Sequence, residues 1–201
     1  RDPVERGRKH DRKQRPYEQK ESFKWQAASE RIESRMGEMM ERVIELNDAE
    51  ADIYEYLQHK EQRGHRYIVR ISQDRALSDD DRRLWKHLAD QPELTRMRVH
   101  VPQKGGRKER EATVSLRSST MRLRPPWRGD RKLAALEASA VLVEEVDPPE
   151  GVEPLCWRLY TSEPVATAEE GRTALQMILA CYVSVREGRR VSLGDSAVYE
   201  I

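Results

Sequence analysis

One residue of this sequence stands where an α/β protein does its chemistry. The short apolar stretch Val43-Ile44-Glu45-Leu46 runs into Asn47-Asp48, and from Glu50 to Lys60 the residues Ile53, Tyr54 and Leu57 fall on one helical face. Asp48 therefore follows a strand and precedes a helix, at the carboxyl end where such sheets place ligands. A carboxylate there can hold Mg²⁺ beside phosphate oxygens, because Mg²⁺ keeps several waters and needs only one or two protein carboxylates. Two such ions about 4 Å apart would stabilise the attacking and leaving oxygens of a phosphoryl transfer. The same aspartate could instead cap the helix that follows it, and the residue type alone leaves both roles open.

A second chemical signal is charge segregation. The formal net charge is only +1, yet between Lys104 and Lys132 ten Lys or Arg stand against three acids, Glu109, Glu111 and Asp130, a local surplus of +7. The cluster begins with Lys104, Arg107 and Lys108, and another basic run spans Arg6 to Lys13. Basic density on a near-neutral chain suits a polyanion, since each phosphate contact releases condensed counterions. A solvated charged face accounts for the composition equally well.

The remaining composition sets bounds. Charged residues make up 36% and apolar residues 37%, with a single Phe, which is little core for 201 residues. Either the surface is large for the core or part of the chain is a solvated arm. Cys156 and Cys181 offer neither a disulfide framework nor zinc-ligand spacing, as in a reducing compartment. No apolar run approaches the roughly 20 residues that span a bilayer, and no signal peptide is visible, so no membrane partner is expected.

The elements that must position these residues follow from periodicity. Residues 1–19 are charged and nearly devoid of apolar side chains, and read as an arm or linker. A helical pattern runs from Glu21 to Met40. Arg66 to Ile71 alternates as a strand, and Ser78 with Asp81 reads as the cap of a short helix carrying Leu84, Trp85 and Leu88. The period then changes to two: Met97/Val99/Val101, Val114/Leu116, Met121/Leu123 and Leu155/Trp157/Leu159 are each expected as strands, with turns at Gly105-Gly106 and Asp147-Pro148-Pro149-Glu150-Gly151. Thr167-Ala168-Glu169-Glu170 is a capping-box signature whose helix is expected to end near Tyr182, and no sustained period follows. The pattern is thus an α/β segment, a β-rich insert, and a helix that returns to the first part.

Four ordered blocks carry a family resemblance: residues 20–25 (Lys-Glu-Ser-Phe-Lys-Trp), 36–57 (Met-Gly-Glu-Met through Glu-Tyr-Leu), 90–104 (Asp-Gln-Pro-Glu-Leu through Val-Pro-Gln-Lys) and 142–164 (Leu-Val-Glu-Glu-Val-Asp-Pro-Pro through Leu-Tyr-Thr-Ser-Glu-Pro). From Lys20 to Tyr182 the chain resembles the Tn-five branch of bacterial insertion-sequence transposases of the DDE class. The resemblance implies an RNase H-like α/β fold with an antiparallel β-rich insertion, and a reaction in which two Asp and one Glu hold two Mg²⁺ or Mn²⁺ ions. It divides the chain into an arm (1–19), part of the core (20–78), the insertion (79–165), a helix returning to the core (166–182) and an aberrant tail (183–201). On it, Asp48 takes the place of the second catalytic Asp and a metal ligand. Arg70 matches a position near the DNA end, and Trp157 the tryptophan on which a flipped base stacks, an ordinary use of an aromatic face. Without the family, Trp157 alternates with Leu155 and Leu159 as a core strand residue would.

The chain also departs from that pattern. Only Asp2 and Asp11 precede the Lys-Glu-Ser block, in a segment without strand character, so the first catalytic Asp is expected to be missing. The third carboxylate should follow Tyr182 in a Tyr-x-x-Arg-x-x-x-Glu pattern, where this chain has Val185 and Arg189. A frame change beyond Tyr182 would produce such a loss. The expectation is a fragment of a cut-and-paste transposase that contacts transposon-end DNA through Arg70, Trp157, Tyr182, Lys104, Arg107 and Lys108 but does not cleave on its own. The alternatives are a non-catalytic DNA-binding remnant, acting alone or on an intact transposase, and a decayed product with no function. The resemblance implies a bacterial cytoplasmic, nucleoid-associated location.

Overall fold

The computed structural model describes residues 15–101, 103, 108–128 and 132–193, except for the side chains of 182, 185 and 186. Six strands form one sheet in the order β1-β2-β6-β5-β4-β3. They are β1 (Ile44–Asn47), β2 (Arg66–Arg70), β3 (Thr95–Val101), β4 (Arg110–Leu123), β5 (Leu136–Val146) and β6 (Cys156–Thr161). Among the described residues the α-helices are α1 (Lys24–Met36), α2 (Tyr54–Arg63), α3 (Leu84–Ala89) and α4 (Ala168–Glu187). The α/β expectation holds at this level.

Parallel strands cannot be joined by a tight turn, and α2 supplies the crossover between β1 and β2, the one parallel pair among the described strands. Gly64, in the left-handed conformation at φ 64°, ends α2 and turns the chain into β2. All other pairings are antiparallel. The strands of the expected insertion belong to the same sheet, because β6 lies directly against β2 with Arg70 opposite Leu159.

Two hydrophobic cores lie on opposite faces of this sheet. The first packs Tyr54, Tyr56 and Leu57 of α2 and Leu84 and Leu88 of α3 on Tyr67, Val69, Met121, Leu123, Leu136, Ala138 and Tyr160. The second packs Ala174, Leu175, Leu179 and Ala180 of α4 on Val99, Val101, Val114, Leu116, Val141 and Val143. Strand side chains alternate between faces. β5 consequently serves both cores, with Ala138, Ala140 and Leu142 turned one way and Val141 and Val143 the other.

This arrangement corrects one reading of the sequence. Val114/Leu116 and Met121/Leu123 lie on a single 14-residue strand, not two. The apolar parity changes midway because β4 leaves α4 behind and passes over α3 on the other face, while its register with β5 continues without a break.

Two helix limits also differ. Ser78 does not cap α3, because its backbone N–H donates to the Arg122 carbonyl and the segment before the helix is bound to the β4 edge. The helix starts at Leu84, with Trp85 N–H donating to Asp74. At the other end, the Thr167/Glu170 capping box forms as expected, but α4 continues to Glu187 and Gly188. Val183 is buried, and Val191 and Leu193 pack against the second core. Even the end of the expected arm is engaged, since Tyr17 is buried edge-on against Phe23, centroids 5.4 Å apart.

Candidate functional site

β1 is an edge strand whose residues serve two environments. Glu45 and Asn47 face α2: Lys60 Nζ forms an ion pair with Glu45, Ser29 Oγ donates to Glu45 at 2.8 Å, and Asn47 donates to the Tyr56 hydroxyl at 3.1 Å. Lys60 is fully buried, and burial lowers its pKa against the pull of Glu45. An ion pair this deep persists because its remaining donors and acceptors are also satisfied, here by Ser29 and Tyr56.

Asp48 comes next, with extended backbone, and its carboxylate is 67% exposed. Oδ1 accepts from Ala49 N–H at 2.7 Å. Of the two roles open in the sequence, the cap is the one seen, and it is made to a 3₁₀ turn, Ala49–Ala51, while α2 begins later at Tyr54. Arg70, at the end of β2, brings Nη1 to 3.7 Å from Asp48 Oδ1.

The spacing of Asp48 and Arg70 is fixed from below by Asp52. This carboxylate is buried and accepts from Ser72 N–H and Gln73 N–H, each at 2.8 Å, and from Arg75 Nη2 at 2.6 Å. Ser72 Oγ also donates to Ala49 C=O at 3.3 Å. The loops leaving β1 and β2 are thereby tied together one turn beyond the two exposed charges.

Trp157 lies on the same sheet face. Arg70 alternates with Val69 and Ile71, which belong to the first core, and Trp157 packs against the second. Arg70 is opposite Leu159, so Trp157 is its diagonal neighbour, at a separation of roughly 7–8 Å in an antiparallel pair. Its indole is half-buried, part of it packed and part in solvent. Lys104 and Arg107 lie outside the described residues, as does the Tyr182 side chain; Lys108 is exposed.

The basic segment is less available than its sequence suggests. Arg110 is paired with buried Glu145, Arg128 Nε donates to Glu55 at 2.7 Å, and Arg117 lies 3.6 Å from Glu144. These acids are remote in sequence, so a local charge count could not include them. Arg122, Arg124 and Lys132 are exposed, and Trp127 beside them is 87% exposed. That exposed tryptophan escaped the sequence reading; the flanking Pro125-Pro126 and arginines were the available signal.

The donor set does not fit a two-ion metal centre. Asp48 supplies one carboxylate, with one oxygen committed to Ala49 N–H and a guanidinium alongside. Among the described residues, no group of three or more His, Cys, Asp or Glu is arranged to hold a metal ion. No helix among them is long and apolar enough to cross a membrane. No protein-family model matches the chain.

Proposed function

We propose that this chain is a fragment of a cut-and-paste DNA transposase that binds DNA but does not cleave it alone. The observation that supports this reading most is the meeting of Asp48, Arg70 and Trp157, far apart in sequence, along one sheet face at the ends of β1, β2 and β6. These are the three residues that the family resemblance singles out. In this role Arg70 holds a backbone phosphate, the exposed part of Trp157 offers a surface for an unstacked base, and Arg122, Arg124 and Lys132 extend the cationic track.

In such transposases, metal ions held by three carboxylates supply the charge neutralisation that strand cleavage needs. Asp48 is the residue here that would contribute to such a centre. With its donor set as it stands, binding without chemistry is the expected activity.

Gel-shift and nicking assays on duplex DNA test this directly. Binding should weaken as salt rises, and Arg70→Ala should reduce it at all sequences alike. Absence of binding at low salt would remove the proposal. Mg²⁺-dependent nicking that disappears in Asp48→Ala would show instead that the chain is a complete nuclease.

A further inference from the structure

A second constellation lies on the other face of the sheet, where α3 crosses β4. His87 Nδ1 is 2.8 Å from Asp80 Oδ2, and His87 Nε2 is 2.8 Å from Ser119 Oγ. The carboxylate can only accept, so Nδ1–H donates to it; Nε2 faces Ser119 Oγ and also Gln91 Nε2 at 3.3 Å, and the serine hydroxyl has the Thr120 carbonyl as a second acceptor at 3.3 Å. The chain of contacts thus runs carboxylate, imidazole, hydroxyl, in the order that activates a serine for nucleophilic attack.

Each member is held by the surrounding fold. His87 sits on α3 between Leu84 and Leu88, both fully buried, and Gln91 Nε2 donates to its carbonyl at 3.0 Å. Asp80 is fixed by Arg82, whose Nη2 donates at 2.6 Å and whose backbone N–H donates at 2.8 Å. Arg82 and then His87 hold the Asp80 carboxyl well below its ordinary range, so it stays anionic. Ser119 is half-buried on β4, opposite Ala140 of β5.

Asp80 and His87 open on a shallow surface depression of about 430 Å³, walled also by Leu77, Asp79, Thr120, Met121, Arg122 and Glu137; Ser119 adjoins it through its neighbour Thr120 and is not itself part of the wall. That volume lies in the range of small-molecule sites. β3 pairs with β4 only as far as Leu116, and the segment before α3 joins the same edge only from Arg122 onward, leaving the stretch between them without a strand neighbour. The carbonyls of Leu116 and Arg122 both accept from outside the sheet, from Leu94 and Ser78. By the alternation of an antiparallel ladder, the backbone of Thr120 points the same way. Its N–H, one residue after Ser119, is therefore directed to the open side, where an oxyanion needs a donor.

We propose that Ser119, His87 and Asp80 form an acyl-transfer site for small carboxylic esters, independent of the DNA-binding face. Ser119 Oγ adds to the ester carbonyl while its proton passes to His87 Nε2. The tetrahedral oxyanion faces the Thr120 N–H. It collapses with cleavage of the acyl–oxygen bond, and His87 returns the proton to the departing alkoxide. Water then attacks the acyl-serine by the same route, releasing the acid and restoring the hydroxyl. Leu77 and Met121 provide apolar wall for a short acyl chain.

Reaction of the folded chain with a fluorophosphonate, read by intact mass and peptide mapping, tests the assignment. One adduct at Ser119 is expected, absent in Ser119→Ala, with the labelling rate reduced roughly 10²–10⁴-fold in His87→Ala. Hydrolysis of p-nitrophenyl acetate should fall in parallel. No adduct on the wild-type chain with native circular dichroism, or equal labelling of Ser119→Ala, overturns the proposal. Ser119→Cys gives a second readout that does not depend on turnover. A thiol paired with His87 is alkylated by iodoacetamide well below the ordinary cysteine range, whereas a thiol whose reactivity fades below about pH 8 shows no activation and counts against it.

Discussion

Three of the four carboxylates between positions 45 and 52, Glu45, Asp48 and Asp52, show how differently one strand end can use the same chemistry. Glu45 and Asp52 are buried, and each accepts several bonds from residues of other elements. Asp48, between them, is largely exposed, with one backbone bond and a guanidinium 3.7 Å away. A buried carboxylate with a complete set of partners is committed to holding the fold, whereas an exposed one beside a single cation keeps lone pairs for something else. The contrast explains how the proposed binding face is exposed and still well placed. The buried pair sets the loops, and the loops set Asp48 and Arg70.

The largest effect should come from breaking the buried side. Lys60→Ala leaves Glu45 charged and unpaired beneath α1 and α2, and should cost about 3–5 kcal/mol in urea unfolding. A loss below 1 kcal/mol would mean that water reaches Glu45 and that the contrast with Asp48 is false. Asp52→Ala should come next, at about 2–3 kcal/mol, since it strands two backbone N–H groups and Arg75. It should also weaken DNA binding without touching Arg70, by releasing the loops; unchanged binding would separate the two layers.

Glu55 and Arg128 provide an intermediate case that pH can read. Burial works to raise the Glu55 pKa, but the bond from Arg128 prevails and the net shift is downward. A carboxyl lowered on folding contributes stability above its unfolded pKa and loses it as pH falls through the folded value. Arg128→Ala should cost about 1 kcal/mol at neutral pH, because the arginine is partly exposed. In thermal melts, the acid-induced loss should also begin at higher pH than in the parent, because the strongest influence opposing burial is removed. Parallel pH profiles would show that the pair contributes nothing.

The smallest expected effect is the sharpest test of the comparison. Asp48→Ala should change stability by no more than about 0.5 kcal/mol. It should strengthen non-specific DNA binding at low salt, since a negative charge beside Arg70 is removed. A loss near 1 kcal/mol with no change in binding would make Asp48 a cap for its 3₁₀ turn and nothing more.

Much of the local structure was legible in the sequence. The β1–α2–β2 unit follows from a short apolar run, a helical face at Ile53, Tyr54 and Leu57, and an alternating segment at 66–71, all within one stretch of chain. The Thr167/Glu170 capping box is equally local and formed as written. The placement of Asp48 after β1 was visible for the same reason.

What could not be read depended on which remote surfaces came together. The parity change within β4 has no local cause, because it reflects α4 covering one end of the strand and α3 the other. The basic surplus between Lys104 and Lys132 was arithmetically sound, yet Glu145, Glu144 and Glu55 reach in from β5 and α2 to pair three of its arginines. Asp80, His87 and Ser119 form no motif in sequence and meet only because α3 packs across β4.

By itself, then, the sequence determined most of the elements, the Thr167/Glu170 cap and the position of its most chemically suggestive carboxylate, since these rest on period, backbone preference and contacts a few residues away. Tertiary structure decided which charges are spent on one another, which remain exposed, and that Asp48, Arg70 and Trp157 share one face. Those outcomes depend on burial and on partners distant in the chain, and both come into existence only when the sheet closes between its two cores.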